Sequence, residues 1–237
     1  MNVLLSLAVV VTIAVASIYV VLTETRAAVD SASLAGEFSD AESFLKSLDN
    51  QIMEVQKEGP GSRRLFPFSV SGGYEVSDAE DSVIREMQSS PEFVQYQSSV
   101  LSENIVFVSG SQSSCFERDE SGDGLNELVM ENPYIKAVFR KTARASPLAT
   151  IRTNETIISM QEKSGGNTVS FVNSSVLIDG NSTSSSGSGY TELLKTGSNK
   201  PFCTVRMFVN STAGVYDVFY TLYSSSDFIV ADVRNIR

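Results

Sequence analysis

Apolar and polar positions follow two different periods along this chain. From residue 3 to residue 22 there is no charge, no Gly and no Pro, and only Ser6, Thr12, Ser17 and Tyr19 carry polar side-chain atoms. Twenty such residues, at about 1.5 Å of rise each, make roughly 30 Å of helix, one hydrocarbon thickness. As a cleaved secretory signal the run is atypical: it has no basic start, it is long, and its "AVA" at residues 14–16 falls inside the apolar stretch. From Leu34 the apolar positions thin to a single stripe: Leu34, Phe38, Ala41, Leu45, Leu48, Ile52 and Val55. The steps alternate four and three, with Asp40, Glu42, Lys46, Asp49 and Glu54 on other faces, which is a helical pattern with one buried side. Gly59-Pro60-Gly61 ends it. One helix over residues 1–58, on the order of 80 Å long, is therefore expected as the first domain.

Beyond it, residues 59–237 change to short alternating runs. "LFPFSVSGGYEV" predicts two strands around a Gly72-Gly73 turn, and residues 105–108 predict a third. Ser77 and Glu80 have capping-box spacing, which predicts a short helix at about residues 78–87, and Ser90-Pro91-Glu92 predicts another turn or helix start. "YIKAVFRK", "ATIRT", "TIISMQ", "TVSFVN", "SVLID", "CTVRMFVN", "GVYDVFYTLY" and "DFIVADVR" are β-branched or aromatic and separated by turn residues. Val205, Met207 and Val209 share one strand face, as do Tyr216, Val218, Tyr220 and Leu222. "DGNSTSSSGSGY", residues 179–190, reads as a mobile surface loop. The expected fold class is α+β: a long N-terminal helix, half apolar and half amphipathic, followed by an antiparallel β-sandwich-like head.

That division resembles the archaeal type IV pilin-like proteins, the surface-filament subunits with class III signal peptides. The likeness rests on the apolar-then-amphipathic helix and on "FLKSLDNQIMEVQKEGPGSRRLFPFSVSGGYEV", residues 44–76, where a helix ends at Gly, a "GSRR" turn follows and a strand enters the head. The short basic leader of that family does not appear in these residues, and Leu5 stands where bacterial relatives carry a Glu, taking Met1 as the first mature residue. The resemblance implies a non-enzymatic structural subunit, held in the membrane before assembly and handed by pilus assembly machinery to an extracellular helical homopolymer. It implies that Val3, Leu4, Leu7, Val10, Val11, Ala14, Ile18 and Val21 line the filament core, with the head outside. The alternative expectation is a single-pass cell-surface glycoprotein or adhesin that does not polymerise.

Composition narrows the chemistry. The net charge of −10 argues against nucleic acid as a partner, since that binding needs a basic footprint. There is no His, which removes Ser-His-Asp and Cys-His catalysis and the usual imidazole metal sites. Cys115 and Cys203 lie far apart with no metal-type spacing, and in an exported domain they suggest one long-range disulfide. "RDESGDGLNE" sets Asp119, Ser121, Asp123 and Gly124 at the first, third, fifth and sixth positions of a calcium-type loop, with Leu125 offering a carbonyl and Glu127 a further oxygen. The twelfth position, where a bidentate Glu belongs, is Met130. An acidic surface turn explains the same letters, and no other cofactor is expected. Asn154, Asn173, Asn181 and Asn210 each begin a glycosylation sequon, all in the β-rich part. Lys136, Arg140, Lys141 and Arg144 form a small basic cluster, expected to serve in ion pairs.

Overall fold

The computed structural model describes residues 2–67, 73–79, 82–87, 98–102, 105–169 and 175–237. Its contacts fall into two units, Met1–Val94 and Gln95–Arg237. The chain is an α+β protein: one long helix, α1 (Asn2–Glu58), followed by antiparallel sheets.

In the first unit α1 runs without a break through the change of composition. Its two halves differ in what covers them. Val10, Val11, Ile18 and Val21 are 53–62% exposed. In the second half the stripe is the covered side: Ala41 is buried, and Leu34, Phe38, Leu45, Leu48 and Val55 are half-buried, while Ile52 stays exposed. Residues beside the stripe make contacts within the unit. Phe44 packs against Phe66 and Tyr74, with ring centroids 5.8 and 4.8 Å away. Arg64 folds back to pair with Glu54 and Glu58, and Gly59 and Gly61 take the positive φ that the helix stop requires. The strand β1 (Glu75–Ser77) pairs with β2 (Ser82–Ile84), Val76 opposite Val83.

One expectation fails here, and a second falls largely outside the described residues. The helix expected over residues 78–87 is a turn at Asp78 followed by the strand β2. The β-branched pair Val83-Ile84 gains more from a sheet partner than a capping box gives an isolated turn of helix. The described residues of "LFPFSVSGGYEV" contribute only the start of β1, whose partner lies after it rather than before; residues 68–72 and the Ser90-Pro91-Glu92 turn lie outside the described residues.

The second unit begins with a hairpin, β3 (Ser98–Ser102) and β4 (Ile105–Val108). Eleven strands follow: β5 (Ser113–Arg118), β6 (Glu127–Glu131), β7 (Ile135–Phe139), β8 (Ala149–Arg152), β9 (Ile157–Glu162), β10 (Thr168–Val169), β11 (Ser186–Leu193), β12 (Gly197–Lys200), β13 (Phe202–Ser211), β14 (Gly214–Tyr223) and β15 (Val230–Arg234). They form a six-stranded sheet in the order β10-β9-β7-β6-β5-β12 and a five-stranded sheet in the order β15-β14-β13-β11-β8. One core joins them. Leu128, Met130, Ala137 and Phe139 from the first sheet meet Val205, Met207, Val209, Tyr216, Val218 and Leu222 from the second. All ten are at most 1% exposed. Each fully buried side chain of this size contributes about 1.5–3 kcal/mol.

The two faces named from sequence are thus the inward faces of β13 and β14. Two other segments differ from expectation, and a third is described only in part. "SVLID" forms no strand, only an isolated bridge between Ile178 and Asn181. In "TVSFVN" only Thr168–Val169 is a described strand. The Ser/Gly stretch is not a mobile loop: a 3-10 turn (Ser182–Ser185) leads into β11, an interior strand between β8 and β13. Gly187 and Gly189 make this pairing possible, because a Cβ at either would overlap the backbone carbonyl of Asn210 or Phe208.

Candidate functional site

The acidic turn between β5 and β6 is the most highly organised loop of the head. Asp119 closes it: one carboxylate oxygen accepts the N–H groups of Gly122 (2.6 Å) and Asp123 (3.2 Å), and the other accepts that of Gly124 (2.9 Å). Gly122 and Gly124 have φ of 75° and 83°, which a side chain would resist. Glu127 holds the other side, accepting the Glu120 N–H (2.7 Å) and the Ser121 hydroxyl (2.6 Å). Those two donors stabilise its ionised form, the Ser121 hydroxyl most, and hold its pKa below the usual carboxylate value. Glu120 is lowered as well, first by Lys136 and then by Arg118, which grip its two oxygens.

Carboxylate oxygens of Asp119, Asp123 and Glu127 lie within 4.8 Å of one another. Hard oxygens at that spacing suit a divalent cation such as calcium, which takes six to eight of them. The rest of the proposed set is weaker. Ser121 spends its hydroxyl on Glu127, and Leu125 is exposed with its N–H on Asp123. Met130 is fully buried in β6, facing the core, and Glu131 pairs with Lys163 at 3.2 Å, so neither supplies the twelfth-position ligand.

The other sequence-derived residues are distributed as follows. Cys115 and Cys203 form a disulfide with Cα atoms 5.8 Å apart, joining β5 of one sheet to β13 of the other inside the core. Asn154 is half-buried in the 3-10 turn Thr153–Glu155, and its sequon hydroxyl, Thr156, is buried and donates to the Arg152 carbonyl. Asn181 is exposed and caps the Ser182–Ser185 turn, its side-chain oxygen accepting both the N–H and the hydroxyl of Thr183. Asn210 is exposed near the β13–β14 turn, and Asn173 lies outside the described residues. Val3, Leu4 and Leu7 lie on the α1 backbone, with Ala14 exposed further along it.

Register brings three sequons to one end of the head. Ser188 pairs with Asn210, Ser186 pairs with Arg152, and Thr153 donates its hydroxyl to the Ser185 carbonyl. The chain enters the sandwich at Ser113, near the start of β13, whereas Asn210 is near the end of that strand. The sequon end is therefore opposite the point of entry. The acidic turn shares it, because Glu127 begins β6 beside Phe139, and Arg140 N–H reaches the Thr156 carbonyl at 2.8 Å.

Within the basic cluster, Lys136 pairs with Glu120 and Lys141 with Glu117. Arg144 lies over the Tyr190 ring, 5.0 Å from its centroid. Sequence reasoning missed two polar features that only pairing reveals. Arg206 binds the buried Asp217 through two hydrogen bonds of 2.8 and 3.1 Å across β13 and β14. Buried Asn132 donates to the Tyr223 and Ser226 carbonyls and accepts the N–H groups of Tyr134 and Ile135. Only the diagonal spacing of Arg206 and Asp217 in a hairpin would have hinted at the first.

No family model, no curated protein and no solved structure matches this chain.

Proposed function

We propose that the chain is a structural subunit of an archaeal type IV pilus-like extracellular filament, polymerising through its N-terminal helix with the β-rich head outside. One observation carries this reading: α1 is continuous, yet residues 10–22 are exposed while most of the stripe of the second half is buried or half-buried. Exposed apolar area costs about 25 cal/mol per Å2 in water, so the first half requires lipid or other apolar helices. It is long and apolar enough to cross a membrane. A free subunit kept in the bilayer by this segment, then lifted by assembly machinery, moves it from lipid into a bundle of identical helices. Packing and polar contacts drive that step, since lipid is as apolar as Leu, and Ala14, Ala16 and Ser17 let helices approach closely. A repeated contact that does not close into a ring yields an open helical polymer. The acidic head, with sequons at one end, then forms the outer layer.

The same exposed segment supports a second reading, a single-pass anchored surface glycoprotein or adhesin that stays monomeric. Negative-stain microscopy of sheared surface material, with mass spectrometry of its subunit, separates the two. The filament reading expects this chain as the subunit; recovery only as a detergent-solubilised monomer would overturn it. Ala14→Asp is expected to abolish filaments while leaving the head folded, because a carboxylate in an apolar helix bundle has no partner. Normal filaments from that variant would remove residues 10–22 from the core.

A further inference from the structure

We propose that the head binds a carboxylated sugar of the uronic acid class in the cavity beside the edge strand β8, a role that holds whether or not the chain polymerises. The cavity has a volume of about 220 Å3 and lies between β8 and the segment that follows β7. That is below the range for drug-sized ligands and suits a single sugar ring.

Its lining is set by the backbone. Thr191, on β11, binds the post-β7 segment three times: its N–H donates to the Thr142 carbonyl, its hydroxyl donates to the Arg140 carbonyl, and it accepts the Thr142 N–H. On the other side β8 is paired to β11 from Ala149 to Arg152. Ile151 reaches the cavity floor but is otherwise packed in the core of the head, which fixes β8 in place.

Charge selects the ligand. Lys136, Lys141, Lys163 and Arg152 each pair with a carboxylate. Among the described residues Arg140 does not: its Nε donates only to the Glu155 carbonyl, at 3.3 Å. Arg152 pairs with Glu155 at 3.0 Å, so two guanidiniums and one carboxylate leave the cavity with one net positive charge. This stands out on a chain of net charge −10. A guanidinium with free N–H groups is matched to a carboxylate, which it can bind through two parallel hydrogen bonds.

The hydroxyls extend the argument from an anion to a sugar. Thr142 and Thr150 line the cavity, and neither hydroxyl makes a hydrogen bond to another described residue. A bare anion or an acidic side chain would occupy Arg140 and leave both hydroxyls unused. A ring bearing a carboxylate and several hydroxyls uses all of them.

The test is calorimetric titration of the full-length protein in neutral detergent with glucuronate, at low and high salt. Glucose, inorganic phosphate and glutamate serve as parallel probes. Glucuronate is expected to bind, more weakly at high salt, and glucose, phosphate and glutamate at least tenfold more weakly than glucuronate. Arg140→Met is expected to lose about tenfold or more in affinity, and Thr150→Val severalfold. Glu155→Gln is expected to bind severalfold tighter, because it releases Arg152. Lys163→Met, outside the cavity, should change nothing, and the melting midpoint of each variant confirms that the head is folded. The proposal is overturned if glucuronate gives no heat, if glucose binds as well, if phosphate or glutamate matches glucuronate, or if Arg140→Met keeps wild-type affinity.

Discussion

Glu127 shows what a single side chain can decide in this head. Sequence reasoning placed it among metal ligands, and its geometry makes it the anchor of its own loop: it accepts the Ser121 hydroxyl and the Glu120 N–H, and its pKa is held down by both. A carboxyl with a depressed folded-state pKa stabilises the fold fully above its unfolded value, about 4.3, and loses that contribution as pH falls through the folded value. Glu120, lowered by Lys136 and Arg118, acts in the same direction. Glu127→Gln should therefore lower stability at pH 7 by about 1.5–3 kcal/mol, the range for a hydrogen bond to a charged group. Thermal melts from pH 7 to pH 3 are expected to show the gap between wild type and variant closing below about pH 4. A gap independent of pH would mean that the ionised form is not what the loop holds. The calcium-type letters were legible at this scale, whereas the hydrogen bonds that already engage all three carboxylates, Asp119, Asp123 and Glu127, were not, since they depend on how the loop folds back.

At the scale of the element, legibility followed burial pattern. In β13 and β14 every second residue is apolar and faces inward, Val205 to Val209 and Tyr216 to Leu222, so those faces could be named residue by residue although Phe208 and Phe219 put aromatic rings on the other face. The helix α1 was readable for the same reason, with a stripe in one half and a continuous run in the other. What failed were elements whose stability comes from a partner. The strand β2 is three residues long and exists because β1 is beside it. The start of the strand β11 reads as part of a surface loop, since its Ser and Gly residues give no strand pattern. Its position is fixed instead by the absence of side chains: Gly189 lies where a Cβ would overlap the Phe208 carbonyl and crowd Ile151. Gly189→Ala is expected to cost about 1–3 kcal/mol, the range for overpacking a filled site, and more if β11 separates from β13. Denaturant unfolding would measure it. An unchanged midpoint would show that the interior of this sheet can give way at Gly189.

For the whole molecule, a long N-terminal helix followed by antiparallel sheets was legible, and so was the pairing of Cys115 with Cys203; that residues 59–94 group with the helix was not. The direction in which features face was not. No run of letters indicates that Asn154, Asn181, Asn210 and the acidic turn share one end of the sandwich, because antiparallel register and a crossover between two sheets put them there. The disulfide has a consequence of its own. Cys115 lies in the first strand of the sandwich and Cys203 in β13, 88 residues later, inside one core. Under the proposed anchoring by α1, the chain is loaded in tension whenever its head is held. Force applied between the N-terminus and any point after Cys203 passes directly from residue 115 to residue 203, so the strands between carry none of it. In single-molecule pulling from the two termini, reduction should lengthen the fully unfolded chain by roughly 300 Å, at about 3.5 Å per released residue. The bond thus makes most of the head a passenger, free to keep its shape and surface while the load runs past it.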